Sequence, residues 1–149
     1  MHKTIQNLKN IQKNINLILD TLKINKIPKI IAVSKTFGMD KISPLIDYGH
    51  LDFGENKVQE AIEKWTNVKS NNKNIKLHLI GGLQTNKVKL AVRLFDFIHS
   101  VDSEKLAQKI SNEQQKQMLN GEIRCVLLVW TVSTYLLARR HRHRPGRRA

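Results

Sequence analysis

Apolar segments of two different periods alternate along this chain in units of roughly 25 residues, and that alternation is its strongest constraint on a fold. Short apolar runs bounded by Gly, Ser, Asn or Asp read as strands over 30–34, 50–54, 76–81, 96–101 and 123–132. Between them, apolar residues three and four apart read as helices. These cover residues 40–48, "ENKVQEAIEKWTNVK", "TNKVKLAVRLF" at 85–95 and "EKLAQKISNEQQKQ". A further amphipathic helix over 4–24 precedes the first strand, with Ile5, Leu8, Ile11, Ile15, Ile18, Leu19 and Leu22 on one face. Asp40 is expected to cap the 40–48 helix, Gly49 to stop it and Ser103 to cap the last helix. Val58, Ala61, Ile62 and Trp65 form a core stripe. Strand and helix in strict alternation predict βαβ crossovers, hence an α/β fold with a parallel sheet.

The early strands finish in polar or glycine residues: Ser34-Lys35, Gly54-Glu55-Asn56, Gly81-Gly82 and His99-Ser100. Ligands of parallel α/β folds gather at the carboxyl ends of strands. Lys35 is the unexpected member of that rim, because "KIIAVSKTF" at 29–37 reads as a strand buried on both faces. Such a lysine can pair with a carboxylate, or lose its proton under apolar surroundings and attack an aldehyde. A solvated strand-ending lysine is the plain alternative.

One domain suits 149 residues and 17.2 kDa. The net charge of +14 invites a nucleic-acid reading, but its distribution weakens it. Residues 1–121 carry 18 Lys, one Arg and 11 acidic residues, a net +8, whereas residues 122–149 carry seven Arg and one acid, a net +6. A lone Cys125 excludes an internal disulfide and a cysteine zinc cluster. The polar, basic start "MHKTIQNLKNIQKN" has no apolar secretory core, which points to a cytoplasmic protein. The chain has no glycine-rich dinucleotide fingerprint, no GK[ST] phosphate loop and no serine nucleophile elbow. No metal is expected, since the histidines of residues 1–121 lack ligand spacing.

"AVSKT" at 32–36, "FGENKVQE" at 53–60, "HLIGGLQTNK" at 78–87 and "HSVDS" at 99–103 occur in this order. Over about residues 5–125 the chain resembles the pyridoxal-phosphate homeostasis proteins, the YggS/PROSC type, which are similar to the N-terminal barrel of alanine racemase. The resemblance implies a (β/α)8 barrel (TIM barrel) of pyridoxal-phosphate fold type III, with the cofactor on Lys35 as a Schiff base. It implies buffering and distribution of pyridoxal 5'-phosphate, with no catalytic residue and no substrate turnover. Apoenzymes that receive the cofactor are the implied partners. Asn56 then hydrogen-bonds the cofactor's ring oxygen or caps a helix, and Glu55 pairs with a rim lysine or is structural. His78, on a strand, faces the lumen or the helices and is best read as a satisfied core histidine. Gly81 permits a close ligand or a tight turn, and His99 and Ser100 suit the rim or a polar core layer.

The sequence departs from that family in its C-terminal part. Five strands are legible where the barrel needs eight, so residues 1–124 read as an incomplete barrel of about five βα units behind an N-terminal helix. The family's phosphate-gripping segment has no counterpart in "YLLARRHRHRPGRRA", and the phosphate ligands stay unassigned. Residues 125–149, apolar and then Arg-rich, read as a tail foreign to the fold, with a frame shift, a basic interaction arm and a short natural variant as its possible origins. Its apolar run of about 14 residues falls short of the roughly 20 that span a bilayer. Two rival functions remain: an amino-acid racemase, which needs an acid–base group opposite Lys35, with Tyr48 as the one tyrosine at hand, and a polyanion binder acting through the tail.

Overall fold

The computed structural model describes residues 1–119 and the strand 127–128. The expected tail at 125–149 otherwise lies outside the described residues. Elements follow in the order α1 (Lys3–Leu22), β1 (Ala32–Val33), α2 (Met39–Asp47), β2 (Asp52–Glu55), α3 (Val58–Asn71), β3 (Lys76–Leu79), α4 (Val88–Leu94), β4 (Phe97–Ile98), α5 (Glu104–Leu119) and β5 (Leu127–Leu128). A 3-10 turn, Thr85–Lys87, leads into α4.

All five strands are parallel, in the spatial order β1-β2-β3-β4-β5. Sequential order without reversal distinguishes this sheet from a doubly wound one, whose strand order turns back on itself. It is the arrangement of a barrel segment, with about five of eight βα units present. The expected α/β, partial TIM-barrel architecture is therefore observed.

Alternation along the strands divides the sheet into two faces. Phe53, Leu77, Leu79 and Ile98 turn toward the helices and are buried with Ala61, Trp65, Val88, Ala91, Val92, Leu106 and Ile110. Phe53 and Trp65 are in ring contact at 4.9 Å between centroids. The expected stripe on α3 is thus core, with Ile62 half-buried at its margin. The register sets Val33, Gly54, His78 and Phe97 side by side on the opposite, inner face.

The element boundaries correct several expectations. β1 covers Ala32–Val33 in place of 30–34, because the chain turns at once: the Phe37 amide donates to Ser34 O at 3.1 Å. Nor is β1 buried on both faces, since Val33 is 45 % exposed on the inner side. The N-cap of α2 is Gly38, with no side-chain cap, and Asp40 lies instead in the first turn, where its carboxylate favours the helix dipole. Gly49, at φ 95°, does end the segment after α2 in the left-handed region. Ser103 caps as expected, its Oγ accepting from the Leu106 amide at 3.3 Å.

The N-terminal helix forms over nearly its expected length, but its apolar stripe is only partly covered, with Ile5, Ile15 and Leu19 half-buried. Only Leu8 is buried, whereas Ile11, Ile18 and Leu22 are exposed. No helix among the described residues is long and apolar enough to cross a membrane.

Candidate functional site

The strand ends form a continuous rim, and backbone contacts hold it together. Ser100 Oγ donates a short hydrogen bond to Gly81 O, tying the end of β4 to the end of β3. A Cβ on Gly81 would stand 2.2 Å from Asn56 O, so the loop after β2 crosses directly over this glycine. Close backbone approach at Gly81 therefore serves Asn56. The helix-cap reading of Asn56 does not hold: the N-cap of α3 is Lys57, and Asn56 is half-buried one residue outside it. Gly82 is different, with nothing within 4 Å of a built Cβ.

Lys35 occupies the turn after β1 and is exposed. It has no carboxylate partner among the described residues. The residue before it is rigidly held. Ser34 donates from its amide to Gly54 O at 2.9 Å and from its hydroxyl to Glu55 Oε1 at 2.7 Å. Glu55 is fully buried on the helix side of β2, and the same oxygen accepts from Lys64 Nζ at 3.0 Å and Trp65 Nε1 at 2.9 Å. Lys64 also donates to Ser34 O at 2.8 Å. Glu55 is thus structural, and its lysine is Lys64 of α3 rather than a rim residue. Three donors converge on Oε1, which offsets the cost of burying it, while Oε2 is buried with no hydrogen-bond partner among the described residues.

His78 lies on the inner face and is nevertheless only 3 % exposed. Its ring stacks on Phe97 with centroids 4.3 Å apart and planes 5° from parallel. Both ring nitrogens are engaged: Nε2 with Asp52 Oδ1 at 2.9 Å and Nδ1 with His99 Nε2 at 2.9 Å. Lys29 Nζ shares that Asp52 oxygen at 3.2 Å. Burial pushes His78 below the ordinary histidine value, and Lys29 adds to this against the opposing pull of Asp52. His99 is lowered by burial and then by His78.

Of the six residues expected at the site, four are linked in two pairs, His78 with His99 and Ser100 with Gly81. Asn56 packs on Gly81, while Lys35 stands apart in the turn after β1, joined to the rim through Ser34. Tyr48 caps the end of α2 and lies beneath Lys9 Nζ, 5.2 Å from the ring centroid, away from the strand-end rim. Asp52, Lys64 and Phe97 escaped the sequence reading. Asp52 shares the two-residue parity of Gly54, which was the available signal for it.

Comparison with known proteins places this geometry. The alanine racemase N-terminal domain family matches residues 6–132. A curated relative, the pyridoxal phosphate homeostasis protein of Buchnera aphidicola subsp. Schizaphis graminum, is 42 % identical over 113 residues, covering 74 % of this chain and 48 % of its own. The structure of PipY from Synechococcus elongatus with pyridoxal phosphate bound superposes with a TM-score of 0.58 at 38 % identity, over 70 % of this chain and 50 % of that one. A protein from Bifidobacterium adolescentis gives a TM-score of 0.68 at 27 % identity, over 79 % and 51 %. The chain belongs to the alanine racemase N-terminal domain family, and to the pyridoxal phosphate homeostasis group within it. It spans about half the length of the curated relatives it matches.

Proposed function

We propose that this chain binds pyridoxal 5'-phosphate through the Lys35 amine and takes part in holding and distributing the cofactor inside the cell. The observation that carries the reading is the placement of Lys35: a primary amine just past a parallel strand end, exposed, following a residue, Ser34, that is pinned to Gly54 and Glu55. An amine is what an aldehyde cofactor requires, and the bound group would supply an electrophilic carbon and a ring able to accept electron density. The donors fit in part. Asn56, His99 and Ser100 stand on the same rim, and Gly82 leaves open space beside it. No phosphate ligand is assigned among the described residues. The names of the relatives and the cofactor in PipY support the same reading.

We assign the chain no turnover: the racemase alternative needs an acid–base group opposite Lys35, and Tyr48 sits at a helix end instead. Cytoplasmic location, transfer to pyridoxal-phosphate apoenzymes, a barrel unit over 1–124, and an adventitious tail at 125–149 with weak polyanion binding complete the proposal. The test is to add pyridoxal 5'-phosphate to the full chain, follow the absorbance of lysine-bound cofactor, reduce with borohydride and map the labelled peptide. Label concentrated on Lys35 and lost in Lys35→Ala is expected. Label spread evenly over many lysines overturns the site.

A further inference from the structure

The inner face carries a hydrogen-bonded line of which the cofactor reading uses only the His99 end. Asp52, His78 and His99 come from three neighbouring strands and form one hydrogen-bonded line. Hydrogen-bond accounting fixes its tautomers. Asp52 Oδ1 accepts from Lys29 Nζ and faces His78 Nε2 as an acceptor, so His78 Nε2 carries the proton. A neutral His78 then offers a bare Nδ1, to which His99 Nε2–H donates. That leaves the lone pair of His99 Nδ1 without a partner among the described residues, on a half-buried ring at the rim.

We propose that Asp52, His78 and His99 form a proton relay on the inner face of the sheet, with His99 Nδ1 as its accepting end and the His78–Asp52 pair as its store. A proton arriving at His99 Nδ1 releases the one on His99 Nε2 to His78 Nδ1. His99 ends neutral with its proton moved from Nε2 to Nδ1, and His78 ends as an imidazolium against the Asp52 carboxylate. One proton enters, two N–H bonds form, one breaks, and no other reactant is needed. Phe97 covers one face of the His78 ring, which shields the stored charge from water. The ligand class that such a group serves is an N–H or O–H acid, an ammonium or a phenol, placed against β3 and β4. The relay runs from Asp52 on β2, beside β1, to His99 after β4, three strands from β1; it rests on these hydrogen bonds and not on an aldehyde at Lys35, so it stands whether or not the cofactor assignment does.

Its neighbours set the midpoint. Lys29 precedes β1, Lys76 lies on β3, Asp96 precedes β4 with its carboxylate 3.8 Å from Lys76, and His50 Nε2 meets Asp52 O at 2.9 Å. Burial holds both rings below the ordinary histidine value, which keeps the relay in its accepting state at neutral pH.

The experiment is a long-range proton–nitrogen correlation on histidine-labelled full chain, titrated from alkaline to acid pH. Both rings are expected as Nε2–H tautomers at the alkaline end. On acidification His78 becomes doubly protonated while His99 switches to Nδ1–H, at one shared midpoint. Asp52→Asn is expected to lower the proton affinity of the pair about tenfold, and Lys29→Met to raise it. Lys29 is 59 % exposed, so its substitution tests the relay even where the Asp52 variant does not fold. Double protonation of His99 before His78, separate midpoints, or a midpoint unmoved by Lys29→Met overturns the proposal.

Discussion

The Ser34 hydroxyl donates to Glu55 Oε1 at 2.7 Å across the β1–β2 pair, so the residue before Lys35 is tied to a carboxylate with no exposure. Lys64 and Trp65 of α3 close on the same oxygen. The turn that presents Lys35 is thereby fastened from behind, from the helix side of the sheet. Glu55→Ala removes the common acceptor and strands Lys64, which is 16 % exposed, beside the core. A loss of about 3–5 kcal/mol is expected, the usual cost of breaking a buried pair from one side. Urea denaturation measures it, and a loss below about 1 kcal/mol would show that α3 holds the turn without this carboxylate.

Adjacent glycines provide an internal comparison. Gly81→Ala drives a methyl into the Asn56 backbone, where a built Cβ stands 2.2 Å from the carbonyl oxygen. About 1–3 kcal/mol of overpacking is expected, since backbone cannot yield as a side-chain tip does. Gly82→Ala meets nothing within 4 Å and should stay within about 0.5 kcal/mol. Thermal midpoints of the two variants, measured side by side, read how tightly the β2–α3 loop presses on Gly81.

Stability should fall on mild acidification. His78 and His99 are both lowered from 6.5 in the folded chain. Above that value neither state binds a proton at these rings, and their contribution is complete. As pH falls below 6.5 the unfolded chain takes up protons that the folded one refuses, and stability declines until the folded rings also charge. Urea midpoints should therefore drop between pH 7.5 and the lowered folded-state values, and the double variant His78→Gln, His99→Gln should flatten that slope. An equal slope in wild type and double variant would assign the acid sensitivity elsewhere.

Exposed apolar surface on α1 predicts weak independence. Leu17, Ile18 and Leu22 are 66 %, 56 % and 60 % exposed, and Val33 and Phe37 add to the open surface beside β1. Each such side chain left in water forgoes about 1.5–3 kcal/mol of burial. The dilute monomer is expected to lack a cooperative thermal transition above about 50 °C, and to associate as concentration rises. Sedimentation of Ile18→Lys, Leu22→Lys should show that association reduced; a sharp high-temperature transition in the dilute wild-type monomer contradicts the expectation.

Much of this was written in the chain's local pattern. Alternating periods of two and of three to four residues determined the parallel α/β order, and polar strand endings located the rim from Lys35 to Ser100. Side-chain pairing was not legible, because it depends on the register between strands some 20 residues apart. That register brings Asp52 and His99 to opposite nitrogens of His78, gives Glu55 to Lys64 rather than to the rim, and sets Gly81 beneath Asn56. Exposure of Lys35 and of the α1 stripe was likewise decided in three dimensions. Periodicity records which face of an element is apolar, and only the neighbours present in space decide whether that face is covered.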